Sequence, residues 1–162
     1  YVLFTSGTST KNPKAVVGSH QATLKRLQWF QSTFSPSPKV GRRTKLTFVD
    51  GFTELWGCLL DASSVLVSIS PSRLDAEGFG VLANSCAQLL ILPSQLKQLS
   101  LLPSRTLERV LVSGEPCSAS QVQNFWTKNP KVQLINLFGQ TETTGDILFA
   151  VLRKDDEASI VN

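Results

Sequence analysis

Val110-Leu111-Val112-Ser113-Gly114-Glu115-Pro116 begins the stretch that decides the fold. Three apolar β-formers read as a short buried strand, and Ser113 to Pro116 is a turn by composition. Ser118 then offers an N-cap, Val122, Phe125 and Trp126 recur at helical spacing, and Val132 to Asn136 is strand-like again. A strand, a helix and a second strand separated by short polar turns make a right-handed βαβ unit.

Outward from this unit the same alternation continues on both sides. Val65 to Ile69 and Leu89 to Leu92 read as strands, with Asp75 to Ala87 and Ser94 to Leu101 as helices. Phe79, Leu82, Ala83 and Cys86 point inward from the first of these helices. Lys45 to Val49 is expected as the strand that opens the series, with Asp50-Gly51 as its turn. Phe52, Leu55, Trp56, Leu59 and Leu60 then follow the i, i+3, i+4, i+7, i+8 pattern of an amphipathic helix. Ile147 to Leu152 is a last strand before the charged run at Arg153. The predicted class is α/β, a mainly parallel sheet flanked by helices.

The N-terminal part has a different pattern. Tyr1-Val2-Leu3-Phe4 and Ala15-Val16-Val17 are strand-like and enclose Thr5-Ser6-Gly7-Thr8-Ser9-Thr10-Lys11-Asn12-Pro13-Lys14. Hydroxyls, a glycine and two lysines in one loop suit a polyanion such as a nucleotide triphosphate, and a polar hairpin tip has the same composition. A Walker A loop is excluded, because Asn12 and Pro13 stand where its second glycine and lysine belong, and no strand-linked G-x-G-x-x-G occurs. Ser19 caps a helix carrying Leu24, Leu27, Phe30 and Phe34, with Lys25 and Arg26 expected on its wet side. Ser35-Pro36-Ser37-Pro38 ends it and begins a loop holding Lys39, Arg42, Arg43 and Lys45.

Bulk properties narrow the function classes. The chain has 162 residues, 41% of them hydrophobic, and a net charge of +4, so it can bury a core. Its basic residues form no stripe with interleaved aromatics, which excludes nucleic acid as the expected partner. No apolar stretch reaches membrane-span length. Cys58, Cys86 and Cys117 are too far apart for a metal knuckle and odd in number, as expected of packed free thiols in a reducing, cytoplasmic setting. His20 is the only histidine, which disfavours a multi-histidine metal site.

In an open parallel sheet, ligands sit outside the carboxyl ends of the strands. Asp50-Gly51, Ser113-Gly114-Glu115 and Phe138 to Thr144 all follow an expected strand, so they fall at one edge. Each alone also reads as structure: Asp50 as a helix cap, Glu115 as a surface carboxylate, Thr141 to Thr144 as a solvated turn.

The loop from Thr5 to Lys14, the turn Gly114-Glu115-Pro116, and Asn136-Leu137-Phe138-Gly139-Gln140-Thr141-Glu142 together resemble the adenylate-forming (AMP-binding) superfamily. Within it the chain is similar to nonribosomal-peptide-synthetase-like adenylation domains and to 2-aminoadipic 6-semialdehyde dehydrogenase-like, β-alanine-activating enzymes. The resemblance implies activation of a carboxylate as an acyl adenylate, with ATP and Mg²⁺, and phosphopantetheine or CoA as the later acyl acceptor. It implies that Thr5, Ser6, Gly7, Thr8 and Lys14 grip the β- and γ-phosphates, and that Thr141 approaches the α-phosphate. Glu142 would hold Mg²⁺, Gly114 and Glu115 would border adenine with Gly139 nearby, Asn136 would hydrogen-bond it and Phe138 would stack on it. His20 matches a histidine near the acyl site, so that His20, Thr141 and Glu142 form the implied catalytic set.

Asp50 matches the aspartate that pairs with the amino group in amino-acid-activating members, which points to an amino acid as substrate. Gly145 and Asp146 match pocket-lining positions, and a second acid there is expected to favour a cationic or extra amino group. Thr144-Gly145-Asp146 spells the family's ribose-binding motif but follows Glu142 too closely to be it. The loop departs from the family pattern, since Thr10-Lys11-Asn12-Pro13-Lys14-Ala15 is one residue longer and lacks both glycines. All of residues 1–162 read as part of one adenylation domain. Residues 1–44 form the phosphate-loop strands and first helix, and 45–152 the βαβ units. The domain's start, its small C-terminal subdomain and a partner carrier domain are expected to lie outside this sequence. A noncatalytic nucleotide-binding or interaction module built on the same fold is the alternative.

Overall fold

Four-residue runs form most of the strands, and those at the centre of the main sheet are the ones covered on both faces. The structure is a computed structural model that describes residues 1–5, 12–62, 64–69, 75–101 and 104–154. β1 (Val2–Thr5) and β2 (Lys14–Val17) form an antiparallel hairpin, with Thr5 opposite Lys14. Helix α1 (His20–Thr33) follows, capped by the Ser19 hydroxyl, which accepts the Ala22 N–H at 3.1 Å.

The main sheet runs β4-β3-β5-β6-β7-β8. Its strands are β3 (Lys39–Arg42), β4 (Val65–Ser68), β5 (Gln88–Ile91), β6 (Arg109–Val112), β7 (Gln133–Gln140) and β8 (Gly145–Leu152). β4 to β7 pair in parallel and β8 returns antiparallel to β7. The crossovers carry α2 (Val49–Leu59), α3 (Ala76–Ala83), α4 (Leu96–Leu101) and α5 (Ala119–Lys128).

Alternation along the central strands separates two layers. Leu89, Ile91, Val110, Val112 and Leu134 meet Phe79, Leu82, Leu96, Leu99, Val122 and Phe125 from α3, α4 and α5. Leu90, Leu111, Ile135 and Leu137 meet Phe30 and Phe34 of α1 on the opposite face. Asn129, buried just past α5, donates to the carbonyls of Leu99 and Phe125, each at 3.2 Å, and accepts the Ser104 N–H at 3.3 Å. It ties the ends of two helices together without leaving its amide unpaired. All three cysteines are free and buried, and burial pushes the Cys86 thiol up to about 12.

Several expectations fail in the first third of the chain. The strand is Lys39–Arg42 rather than Lys45–Val49, and Leu46 and Phe48 are exposed. Only Val40 and Gly41 need burial in so short a strand, and Gly41 lets the sheet close up, since a β-carbon there would stand 2.4 Å from Leu89 Cδ2. Asp50 and Gly51 are not a turn but the first turn of α2. The helix also rolls away from its apolar stripe: Trp56, Leu59 and Leu60 are exposed, whereas Thr53, Glu54 and Cys58 are buried. α3 ends at Ala83, leaving Cys86 beyond the helix, and β7 runs on to Gln140, taking Phe138 and Gly139 out of the expected turn.

Candidate functional site

The carboxyl ends of β3, β5, β6 and β7 open on one side, as parallel pairing requires. Two clefts lie along this edge and share Gly114 in their walls. The first, about 400 Å³, is lined by Arg43, Thr44, Phe48, Asp50, Leu92 and Ser113 among others. The second, about 460 Å³, is lined by Glu115, Pro116, Asn136, Phe138, Gly139 and Leu148 among others. Gly114 adopts φ +87° at the partition, a conformation that suits glycine.

In the second cleft β7 sets three lining residues, Asn136, Phe138 and Gly139. Asn136 lies on β7 beside Val112 of β6, and Phe138 two residues on presents its ring to solvent at the same mouth. Gly139 is a close-approach glycine, because a β-carbon there would stand 2.0 Å from the Gly145 carbonyl oxygen. The Glu115 carboxylate accepts the Ser94 N–H at 3.1 Å, so the loop after β6 is latched to the loop after β5. Thr141–Thr143 form a 3₁₀ turn held by the Thr143 hydroxyl, which accepts the Gln140 N–H at 3.2 Å and faces the Gly145 carbonyl at 2.8 Å. β2 runs beside this turn, which brings the Lys14 strand next to Thr141 and the exposed Glu142.

The loop between β3 and α2 is held by one buried acid. Glu54 accepts N–H groups from Arg43 at 3.1 Å and Thr44 at 2.8 Å, and the Thr44 hydroxyl at 2.7 Å. Burial outweighs these three donors and pushes its carboxyl up to about 7. Arg43, anchored by that loop, donates to the Gln95 side chain and stacks over the Phe79 ring.

Asp50 sits at the N-terminus of α2 and lines the first cleft. Burial and the neighbouring Asp146 carboxylate raise its pKa, against hydrogen bonds from Arg26 and Ser113. Arg26 is the residue that sequence reasoning missed. Instead of facing water on α1 it is buried, donating to Asp50 at 3.1 Å, to Asp146 at 2.5 Å and to the Val49 carbonyl at 3.2 Å. Its partners lie 24 and 120 residues away, a separation that no helical periodicity registers.

The other expected site residues divide. Gly114, Glu115, Asn136, Phe138, Gly139 and Asp50 line the clefts. Thr5 and Lys14 close the described ends of the hairpin, while Ser6, Gly7 and Thr8 lie outside the described residues. Asp146 faces Arg26, and its neighbour Gly145 packs against the same guanidinium. His20 lines a separate apolar groove of about 290 Å³ with Tyr1, Leu24, Phe52, Trp56 and Leu60, where the stripe of α2 also points. Among the described residues no group of three His, Cys, Asp or Glu side chains is placed to hold a metal. Mg²⁺ bound by one carboxylate and phosphate oxygens requires no such group, and the exposed Glu142 beside the hairpin fits that role.

A family profile, AMP-binding enzyme, matches residues 1–161. The chain belongs to the AMP-binding enzyme family. The match takes in the hairpin, both clefts and the Arg26 cluster. The chain is 33% identical to a beta-alanyl-bioamine nonribosomal peptide synthetase of Schistosoma mansoni, over 94% of this chain and 16% of that protein. It is 30% identical to the beta-alanyl-bioamine nonribosomal peptide synthetase ebony of Drosophila melanogaster, over 98% of this chain and 20% of that protein. It therefore spans no more than a fifth of these curated relatives.

Among solved structures, this AMP-binding chain superposes with TM-score 0.83 and 27% identity on holo-PA1221, a nonribosomal peptide synthetase protein with adenylation and PCP domains bound to a vinylsulfonamide inhibitor. The overlap covers 98% of this chain and 28% of that one. Among the described residues no helix is long and apolar enough to cross a membrane.

Proposed function

We propose that the protein activates an amino acid with ATP as an aminoacyl adenylate, releasing pyrophosphate, and that residues 1–162 are part of the adenylation domain that does so. The observation that carries this reading is the pair of adjoining clefts at one sheet edge, one walled by Asn136 and Phe138 and the other by Asp50. Their shared wall at Gly114 lets a nucleotide and a second small molecule approach each other.

In this reading Phe138 stacks on adenine, Asn136 hydrogen-bonds it, and Glu115, latched to Ser94, keeps the loop around it in place. Thr5, Ser6, Gly7, Thr8 and Lys14 hold the β- and γ-phosphates, with Thr141 toward the α-phosphate. Glu142 holds Mg²⁺, which supplies neutralisation of phosphate charge when bound. Asp50 takes the substrate ammonium, and His20, in its separate groove, has no part in this reading. The substrate carboxylate attacks the α-phosphorus and pyrophosphate leaves, a step that depends on positioning and charge neutralisation rather than on a protein nucleophile. A carrier domain bearing phosphopantetheine is the acyl acceptor, as the adenylation and PCP domains of the PA1221 protein suggest.

Titration of Mg²⁺-ATP into the full-length protein, read beside amino-acid-dependent pyrophosphate exchange, tests the reading. Binding with exchange supports it. Binding without exchange supports the noncatalytic nucleotide-binding alternative, which the glycine-free sequence from Asn12 to Ala15 favours. Exchange supported by a fatty acid and by no amino acid overturns the substrate class.

A further inference from the structure

Three elements meet at Arg26. α1 supplies the guanidinium, the first turn of α2 supplies Asp50, and the start of β8 supplies Asp146. The two acids are not equivalent. Asp146 makes the shorter contact, 2.5 Å against 3.1 Å, and its side chain is 1% exposed against 21% for Asp50. Asp146 Oδ1 and Arg26 Nε are buried without a partner, whereas Asp50 lines the cleft beside Ser113. Gly145 leaves the space the guanidinium fills.

One guanidinium between two carboxylates leaves one net negative charge, and the difference in burial leaves it on Asp50, at the cleft wall. We propose that the Arg26–Asp146 pair fixes the charge of the amine subsite at one, so that the substrate is a carboxylic acid bearing a single ammonium group and acids bearing two are rejected. The inference rests on Asp50 being the ammonium partner. One ammonium on Asp50 completes the neutralisation of the cluster. A second would find Asp146 sealed behind Arg26 and would be buried unpaired, which is costly. The second acid therefore binds Arg26 rather than an extra amino group of the substrate. Arg26 and Asp146 act through Asp50, as positioning residues that set specificity.

Pyrophosphate exchange by the full-length protein is measured with one-ammonium acids (glycine, alanine, 3-aminopropanoate) and two-ammonium acids (ornithine, lysine). A kcat/KM roughly tenfold or more higher for the best one-ammonium acid is expected, the worth of one charged hydrogen bond. Equal or better use of the two-ammonium acids overturns the inference.

Asp146→Asn leaves Arg26 wholly to Asp50, so KM for the amino acid is expected to rise about tenfold with KM for ATP unchanged. Arg26→Gln/Asp146→Asn restores one net negative charge without a buried ion pair, and is expected to recover the amino-acid KM to within about threefold. Preference for one ammonium in the double variant supports the charge count whether or not the single variant folds, and loss of that preference overturns it. Asp50→Asn separates the two levels. If it leaves the amino-acid KM unchanged, the reading of Asp50 fails. If it raises that KM and Asp146→Asn does not, only the present inference fails.

Discussion

Gly145 lies directly against the guanidinium of Arg26: a β-carbon at Gly145 would stand 2.3 Å from Arg26 Cζ. The backbone there has φ +106°, which L side chains rarely adopt. Gly145→Ala is therefore expected to cost about 1–3 kcal/mol through backbone strain, with the displaced Arg26 adding to it. Urea denaturation measures the loss. In a double-mutant cycle Arg26→Ala should recover part of it, and strict additivity would show that the two residues are not coupled.

Glu54 gives stability a pH dependence. Its carboxyl is raised from 4.5 to about 7 in the folded state, so between these values the native protein holds a proton that the unfolded chain releases. Stability is expected to fall as pH rises through that window, by up to about 3 kcal/mol, and to level off above it. Urea midpoints between pH 5 and 8 check this. The Glu54→Gln profile should be flatter, and an identical slope would assign the effect to other groups.

Phe138 presents its ring at the cleft mouth, 56% exposed. Phe138→Ala is expected to weaken ATP binding by about 1–3 kcal/mol, the worth of one base stacked on an aromatic ring. The KM for the amino acid should stay the same. Calorimetric titration with Mg²⁺-ATP checks the first expectation and exchange kinetics the second.

Phe125 is fully buried among α3, α4, α5 and the sheet. Phe125→Ala is expected to destabilise the domain by about 3–5 kcal/mol, from lost transfer energy and the cavity left behind. Thermal and urea denaturation should both register it.

Ser118 caps α5, its hydroxyl accepting the Gln121 N–H while the Gln121 side chain accepts the Ser118 N–H at 2.8 Å. Ser118→Ala is expected to cost about 1 kcal/mol, measured by the same denaturation. Gln121→Ala should remove half of the reciprocal pair and cost less.

The C-terminal two-thirds of the fold was legible because its strands are apolar on both faces and its helices carry caps. Val110 to Val112, Ser118 and the stripe of Val122, Phe125 and Trp126 each announce one element. The stretch from Lys39 to Glu54 was not legible. A strand with only Val40 and Gly41 buried leaves no apolar run, and the exposed Leu46 and Phe48 imitate one. α2 misled through the opposite cause. Its apolar stripe faces the groove with Tyr1 and His20, while Glu54 turns inward to bind the N–H groups of the loop before it.

Local patterning by itself therefore determined the class of fold, the order of the later strands and helices, and that the turn from Ser113 to Glu115 falls at the carboxyl edge of the sheet. Those properties depend on neighbours within a few residues and on the parallel pairing that βαβ connections impose. Only the tertiary structure decided that Asp50 starts a helix, that His20 faces another groove, and that Arg26 lies buried between Asp50 and Asp146. A salt bridge between residues 120 positions apart depends on how three elements pack, and burial turns an arginine with an ordinary surface spacing into the counter-ion of the site.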